Sequence, residues 1–188
     1  MATDLNDKNP WVTLKKEEVY DNPLITVFHD EIINPGGVKG IYGHVQFKNV
    51  AVGILAIDKQ GYIYLVGQFR YAIDKYSWEI PEGGCPQGED PLQAAKRELK
   101  EETGITADTW TELQLLHTSN SVTNEYGIIY LAEHLHLGEA EPESCEELSL
   151  KKIHEKEALD WVMEGKITDA ISVAGIYAYQ QVKKKRGL

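Results

Sequence analysis

Glu98, Glu101 and Glu102 fall within two turns of one predicted helix, directly downstream of a loop carrying Gly83, Gly84 and Gly88. Residues three and four apart on a helix are surface neighbours, so three like charges there repel and stability alone does not favour them. A hard divalent cation reverses that balance, because Mg2+ and Mn2+ take carboxylate, carbonyl and water oxygens. The glycines let the backbone turn tightly and approach a ligand closely. Loop carbonyls can then serve the same cation as the helix carboxylates. The competing reading is a solvated acidic face with Arg and Lys partners, the ordinary reason for a Glu-rich helix. The glycine loop in front turns the reading toward a cation.

The helix that must position these groups is legible at both ends. Asp90 is a good N-cap, Pro91 suits the first helical position, and Gln93 completes a capping-box pattern. Gly104 is the natural stop. Leu92, Ala95 and Leu99 repeat on one apolar stripe. Glu98 and Glu102 border that stripe, Glu101 lies further round, and Arg97 stands one turn before Glu101 as an ion-pair partner would.

Gly83, Glu89, Arg97, Glu98, Leu99, Glu101, Glu102, Gly104 and Ile105 match the pattern G-x5-E-x7-R-E-U-x-E-E-x-G-U, with U aliphatic, without a gap. In this the chain resembles the Nudix hydrolases. The resemblance implies metal-dependent attack of water on a diphosphate. It places Glu98, Glu102 and the backbone carbonyl of Glu82 on the metal, Mg2+ or Mn2+, with Glu101 joining when further ions bind. It implies that Arg97 orients the glutamates and that Glu89 holds the loop. It puts the general base on a mobile acidic loop before the last strand, where Glu139, Glu141, Glu143, Glu146 and Glu147 stand. Of these Glu146 is the first choice, with Glu143 and Glu147 beside it.

Residues outside the box narrow the resemblance to ADP-ribose and nucleoside-diphosphate-sugar pyrophosphatases. Gln68-Phe69-Arg70-Tyr71 and Trp78-Glu79-Ile80-Pro81-Glu82-Gly83 are similar to the stretch upstream of the box in that group. Arginine offers a planar fork to phosphate oxygens, which makes Arg70 the candidate for the diphosphate; a surface ion pair is its competing reading. Glu79 resembles a substrate-side carboxylate. Tyr71 and Trp78 could stack on a base, although aromatics in strands commonly belong to the core. Ser119-Asn120-Ser121-Val122-Thr123-Asn124-Glu125 is similar to a loop that reads Ser-Pro-Gly in ADP-ribose specialists and ends in glutamate. Asn120 and Ser121 replace its proline and glycine, which favours a broader range of nucleoside diphosphate sugars, and Glu125 is kept for substrate or Arg70. Glu82 stands where the group usually has alanine. Two other readings stay open: a Nudix enzyme of nucleoside triphosphates or dinucleoside polyphosphates, and a sensor that binds a nucleotide sugar without cleaving it.

Turn signals and alternation predict strands over 24–33 and 40–47 around Asn34-Pro35-Gly36-Gly37, then over 51–57, 62–70, 113–117, 126–136 and 148–153. Helices are predicted over 155–164 and 168–185, separated by Gly165. The order is α+β. It is similar to the Nudix fold, a mixed β-sheet sandwiched between helices, with an N-terminal antiparallel β lobe. Residues 1–48 form that lobe, which the resemblance links to a homodimer, and residues 49–188 form the hydrolase domain; residues 1–10 are expected to fray.

With 188 residues and a 42% apolar share, the chain is globular. Its net charge of −11 argues against a nucleic-acid footprint, which needs a basic stripe. The run from Lys183 to Arg186 closes the last helix, where cations suit the dipole. No signal peptide or membrane-length apolar stretch is present, and Cys85 and Cys145 form no metal-spaced pair, so a reduced cytoplasmic setting is expected. His134 and His136 read as one half-exposed strand face.

Overall fold

The computed structural model describes residues 8–140 and 147–187, which divide into two compact units. One holds the chain up to Lys48 together with Ser119–Asn124. The other holds Asn49–Thr118 and everything from Glu125 onward.

The first unit is an antiparallel sheet of β1 (Val12–Lys15), β2 (Glu18–Asp21), β3 (Ile25–Ile33) and β4 (Lys39–Phe47). β4 pairs with β3 along its whole length, from Ile25 opposite Phe47 to Ile33 opposite Lys39. The turn between them closes where Asn34 N–H donates to the Val38 carbonyl at 2.9 Å and Asn34 Oδ1 accepts from Val38 N–H at 3.0 Å. β1 and β2 pair with opposite ends of β3. Neither is expected from the sequence: each is four residues long and exposed throughout, so no burial alternation marks it. Ser119–Asn124 joins this unit through main-chain bonds to β4. Val45 N–H donates to Val122 O at 2.8 Å, and Phe47 N–H donates to Asn124 Oδ1 at 2.6 Å.

The second unit contains β5 (Val50–Ala56), β6 (Tyr62–Arg70), a 3-10 turn (Tyr71–Ile73), β7 (Lys75–Glu79), β8 (Glu82–Cys85), α1 (Pro91–Thr103), β9 (Thr106–His117), β10 (Tyr126–His136), β11 (Ser149–His154), α2 (Glu155–Met163) and α3 (Ala170–Arg186). Its main sheet runs β8-β5-β10-β9 and is mixed: β5 and β10 are parallel, and the outer pairs are antiparallel. A second, antiparallel sheet runs β11-β6-β7.

β5 and β10 read as nearly unbroken apolar runs because both faces of the main sheet are covered. Val52, Ile54, Ala56, Ile128, Tyr130 and Ala132 pack with Ala94, Ala95 and Leu99 of α1. Leu55, Ile129 and Leu131 pack with Ile171, Ile176 and Tyr179 of α3. At Gly53 a β-carbon would overlap the Ile171 side chain, so α3 lies against bare backbone there. Among the described residues no helix is long and apolar enough to cross a membrane.

The boundaries of α1 follow the expected signals. Asp90 Oδ1 accepts from Gln93 N–H at 3.1 Å, and Gly104 ends the helix at φ 70°. β9 begins at Thr106, well before Leu113, because its first half is a polar edge stretch without clear alternation. β7 and β8 are likewise additions to the sequence reading. β8 contains two glycines, which are poor strand formers on their own.

Candidate active site

Three elements converge on the short segment Ile80-Pro81-Glu82. The carbonyl of Pro81 accepts from Ile54 N–H of β5 at 2.8 Å, and register places Glu82 opposite Gly53. Ile80 N–H donates to the Ser172 hydroxyl of α3 at 2.9 Å. Ser172 is wholly buried, and its own N–H donates to Asp169 Oδ2 at 2.7 Å, the N-cap of α3. Glu82 N–H donates to Glu102 Oε2 of α1 at 3.1 Å. The Pro81–Glu82 peptide is therefore held by β5 and α1, and Ile80 just before it by α3.

Glu102 is buried at 5% exposure, on the α1 face against the sheet. Glu98 reaches over the loop: a β-carbon on Gly83 would overlap its carboxyl. The third carboxylate, Glu101, lies more in the open. Arg97 gathers the cluster. Its Nη1 donates to Glu98 Oε1 at 2.7 Å and to Glu101 Oε2 at 3.0 Å. Its Nε and Nη2 donate to the two Glu89 oxygens at 3.3 and 3.2 Å, and Nη2 also reaches the Gly84 carbonyl at 3.0 Å. One guanidinium thus ties the glycine loop to the helix and offsets the repulsion among acids. The Glu89 bonds first, and then Glu98 and Glu101, raise the Arg97 pKa further against the opposing effect of burial.

Every donor in this cluster is a hard oxygen, as Mg2+ or Mn2+ requires. Gly83 leaves the space in which the Glu98 carboxyl sits beside the loop backbone. With the side chains as they stand, no three His, Cys, Asp or Glu among the described residues are spaced to hold a metal ion, and Arg97 engages Glu98 and Glu101 together. The donor chemistry fits such an ion.

Upstream of the box, Arg70 ends β6 and Glu79 ends β7. Arg70 Nε donates to both Glu79 oxygens at 3.0 and 3.1 Å, and Nη2 donates to Glu79 Oε2 at 2.5 Å. Nη2 also reaches Glu82 Oε1 at 2.9 Å. In this structure, then, Arg70 stands in an ion-pair cluster. Burial opposes its charge, and Glu79 followed by Glu82 outweighs that and raises its pKa. Burial first, and then the neighbouring Asp169 and Glu79 carboxyls, push Glu82 well above the ordinary carboxylate range against the pull of Arg70. Glu82 Oε2 is buried without a hydrogen-bond donor among the described residues.

The remaining expected site residues differ in exposure and partners. Tyr71 is 97% exposed. Trp78 is half-buried against the core, with its ring centroid 5.4 Å from Tyr76 and 6.2 Å from Trp161. Glu125 accepts from the Thr118 hydroxyl. Glu147 is exposed, whereas Glu143 and Glu146 lie outside the described residues. Asp169 and Ser172 are absent from the sequence reading. Asp169 carries an N-cap signal, but its closeness to Glu82 follows from how α3 docks.

Residues 47–170 match the NUDIX domain family, and residues 11–45 match the nucleoside diphosphate sugar hydrolase N-terminal domain. The chain belongs to the Nudix family. It is 31% identical over 178 residues to the ADP-ribose pyrophosphatase of Bacillus subtilis (strain 168), covering 94% of each chain. It is 32% identical over 174 residues to the ADP-ribose pyrophosphatase of Mycobacterium tuberculosis, covering 90% of this chain and 83% of that one. The methanol dehydrogenase activator of Bacillus methanolicus is 30% identical over 170 residues, covering 89% and 91%. A solved ADP compounds hydrolase shares the fold, with a TM-score of 0.84 at 24% identity over 94% of this chain and 96% of that one.

Proposed function

We propose that this protein hydrolyses the diphosphate bond of ADP-ribose or related nucleoside diphosphate sugars, giving a nucleoside monophosphate and a sugar phosphate. The observation that carries this reading is the full-length likeness to ADP-ribose pyrophosphatases, together with an intact nine-position box. The Glu82 carbonyl, Glu98, Glu102 and then Glu101 would hold Mg2+ or Mn2+. Such an ion, when bound, polarises phosphoryl oxygens and lowers the pKa of water. The protein's own part is placement. Arg97 keeps Glu98 and Glu101 side by side at the loop. Glu102, bonded to Glu82 N–H, is held beside the residue whose carbonyl it works with.

Arg70 meets the diphosphate, and Glu79, Tyr71, Trp78 and Glu125 lie on the substrate side. Glu146 takes the proton from the attacking water, with Glu143 and Glu147 as the neighbours that could replace it. Asn120 and Ser121, in place of the proline and glycine of ADP-ribose specialists, favour a broad sugar range. The N-terminal sheet, where Val12, Leu14, Val19, Tyr20 and Ile41 are exposed, suits a homodimer. The free, buried Cys85 accords with a reducing cytoplasm. The net charge of −11 speaks against a nucleic-acid partner.

The test is a substrate panel. The protein is incubated with ADP-ribose, UDP-, GDP- and ADP-sugars and a nucleoside triphosphate, with Mg2+ or Mn2+, and products are separated. Monophosphate release from the sugars supports the proposal. Pyrophosphate from the triphosphate would move the protein to another Nudix activity, and binding without product would make it a sensor.

A further inference from the structure

Arg70 has five N–H donors in one plane: one on Nε and two on each terminal nitrogen. Glu79 takes the side-on pair, Nε and one hydrogen of Nη2. Glu82 Oε1 takes the other hydrogen of Nη2 at 2.9 Å. Among the described residues no acceptor meets Nη1. A phosphate that binds arginine with two parallel hydrogen bonds needs one donor from each of two adjacent nitrogens. The side-on fork is filled by Glu79. The end-on fork, Nη1 with Nη2, is half filled by Glu82.

The two carboxylates differ in how they are set. The Glu79 side chain is 4% exposed and meets Arg70 through both oxygens. Glu82 meets it through one oxygen, while its other oxygen is buried without a donor beside the Asp169 carboxyl. Arg70 itself is 38% exposed, so a ligand can reach it. The main chain of Glu82 is anchored independently of its side chain, through Glu102 and through the Pro81 carbonyl on β5.

We propose that the Glu82 side chain is a positioning residue that keeps the end-on fork of Arg70 half closed in the substrate-free protein, and that a diphosphate gains the whole fork by displacing Glu82 from Nη2. This rests on the assignment of Arg70 to the diphosphate made above. It gives the departure from alanine at position 82 a consequence. The enzyme binds its substrate more weakly in the ground state than the same site with a small residue would.

The experiment is a kinetic cycle on ADP-ribose with Mn2+, using Glu82→Ala, Glu82→Gln, Arg70→Ala and Arg70→Ala/Glu82→Ala, with thermal melting of each. One added charge-assisted hydrogen bond is worth about tenfold in binding. Glu82→Ala is expected to lower KM by about that factor, and kcat measured alongside separates this ground-state effect from any effect on the chemical step. Glu82→Gln keeps an acceptor on Nη2 and stays near the wild-type KM. In the Arg70→Ala background the Glu82 change gives no gain. An unchanged or higher KM in folded Glu82→Ala, an equal gain in Glu82→Gln, or the same gain without Arg70 would each overturn the proposal. If Glu82→Ala melts early, Glu82→Ser serves in its place. If wild type cleaves no ADP-ribose, the functional reading fails on its own. Inorganic pyrophosphate binding by calorimetry, run through the same four variants, then decides the fork separately.

Discussion

The Glu98 carboxyl occupies the space that a β-carbon at Gly83 would need. The loop glycine and the helix glutamate are therefore one device, and neither can be changed alone. Gly83→Ala pushes away the flexible end of one side chain and leaves the backbone in place. The fold should survive, with a melting temperature within a few degrees of wild type, while kcat/KM falls by about 100-fold or more if, as proposed, metal placement is the main source of rate. Full activity in Gly83→Ala would mean that Glu98 has no part in the chemistry.

Glu102→Gln should cost at least ~100-fold in turnover while the protein stays folded. The amide oxygen can still accept from Glu82 N–H, so the link seen at 3.1 Å persists while the charge is gone. Circular dichroism with a coupled phosphate assay separates the two effects, and a near-wild-type rate would take the metal site out of the scheme.

Ser172→Ala removes the side-chain acceptor of Ile80 N–H, deep in the interior. An orphaned buried donor costs about 1–3 kcal/mol. Urea unfolding should register that loss. A variant as stable as wild type would show that Ile80 N–H finds another acceptor.

The Glu155 carboxyl joins α2 to α3 through Gln180 at 2.6 Å and Lys183 at 2.5 Å. Burial pushes its pKa up, and the Gln180 and Lys183 bonds outweigh that, leaving it below the ordinary 4.5. A depressed folded-state value means that folding favours the ion. The contribution is complete above pH 4.5 and is lost as pH falls through the folded-state value. Glu155→Gln should therefore destabilise by about 1–3 kcal/mol at neutral pH and by much less in strong acid. Equal differences at both pH values would contradict the pair's role.

Glu146→Gln should slow turnover by ~10- to 1000-fold, the range for a lost general base. If Glu143→Gln or Glu147→Gln carries the loss instead, the base belongs there.

How much of this could be read from the sequence depended on how local each cause was. The caps of α1 and the box are set by neighbours a few residues apart, so Asp90, Gly104 and the Arg97–Glu101 pair stand where the sequence put them. β6 and β10 carry strong apolar signals and begin and end as expected. β1 and β2 are short and exposed, and β8 is rich in glycine, so their pairing with β3 and β5 defines them rather than any pattern of their own. The Ser172 bond to Ile80 and the crowding of Glu82, Asp169 and Arg70 arise where α3 docks, and no sequence spacing announces them.

Ser119–Asn124 bonds to β4, yet the chain on either side of it belongs to the other unit. No single cut releases either half intact. A fragment starting at Asn49 would carry six residues whose natural partners had been discarded with Val45 and Phe47. Shuffling of the two halves among relatives would have to exchange this loop as well, so lobe and hydrolase domain are expected to be inherited as a pair.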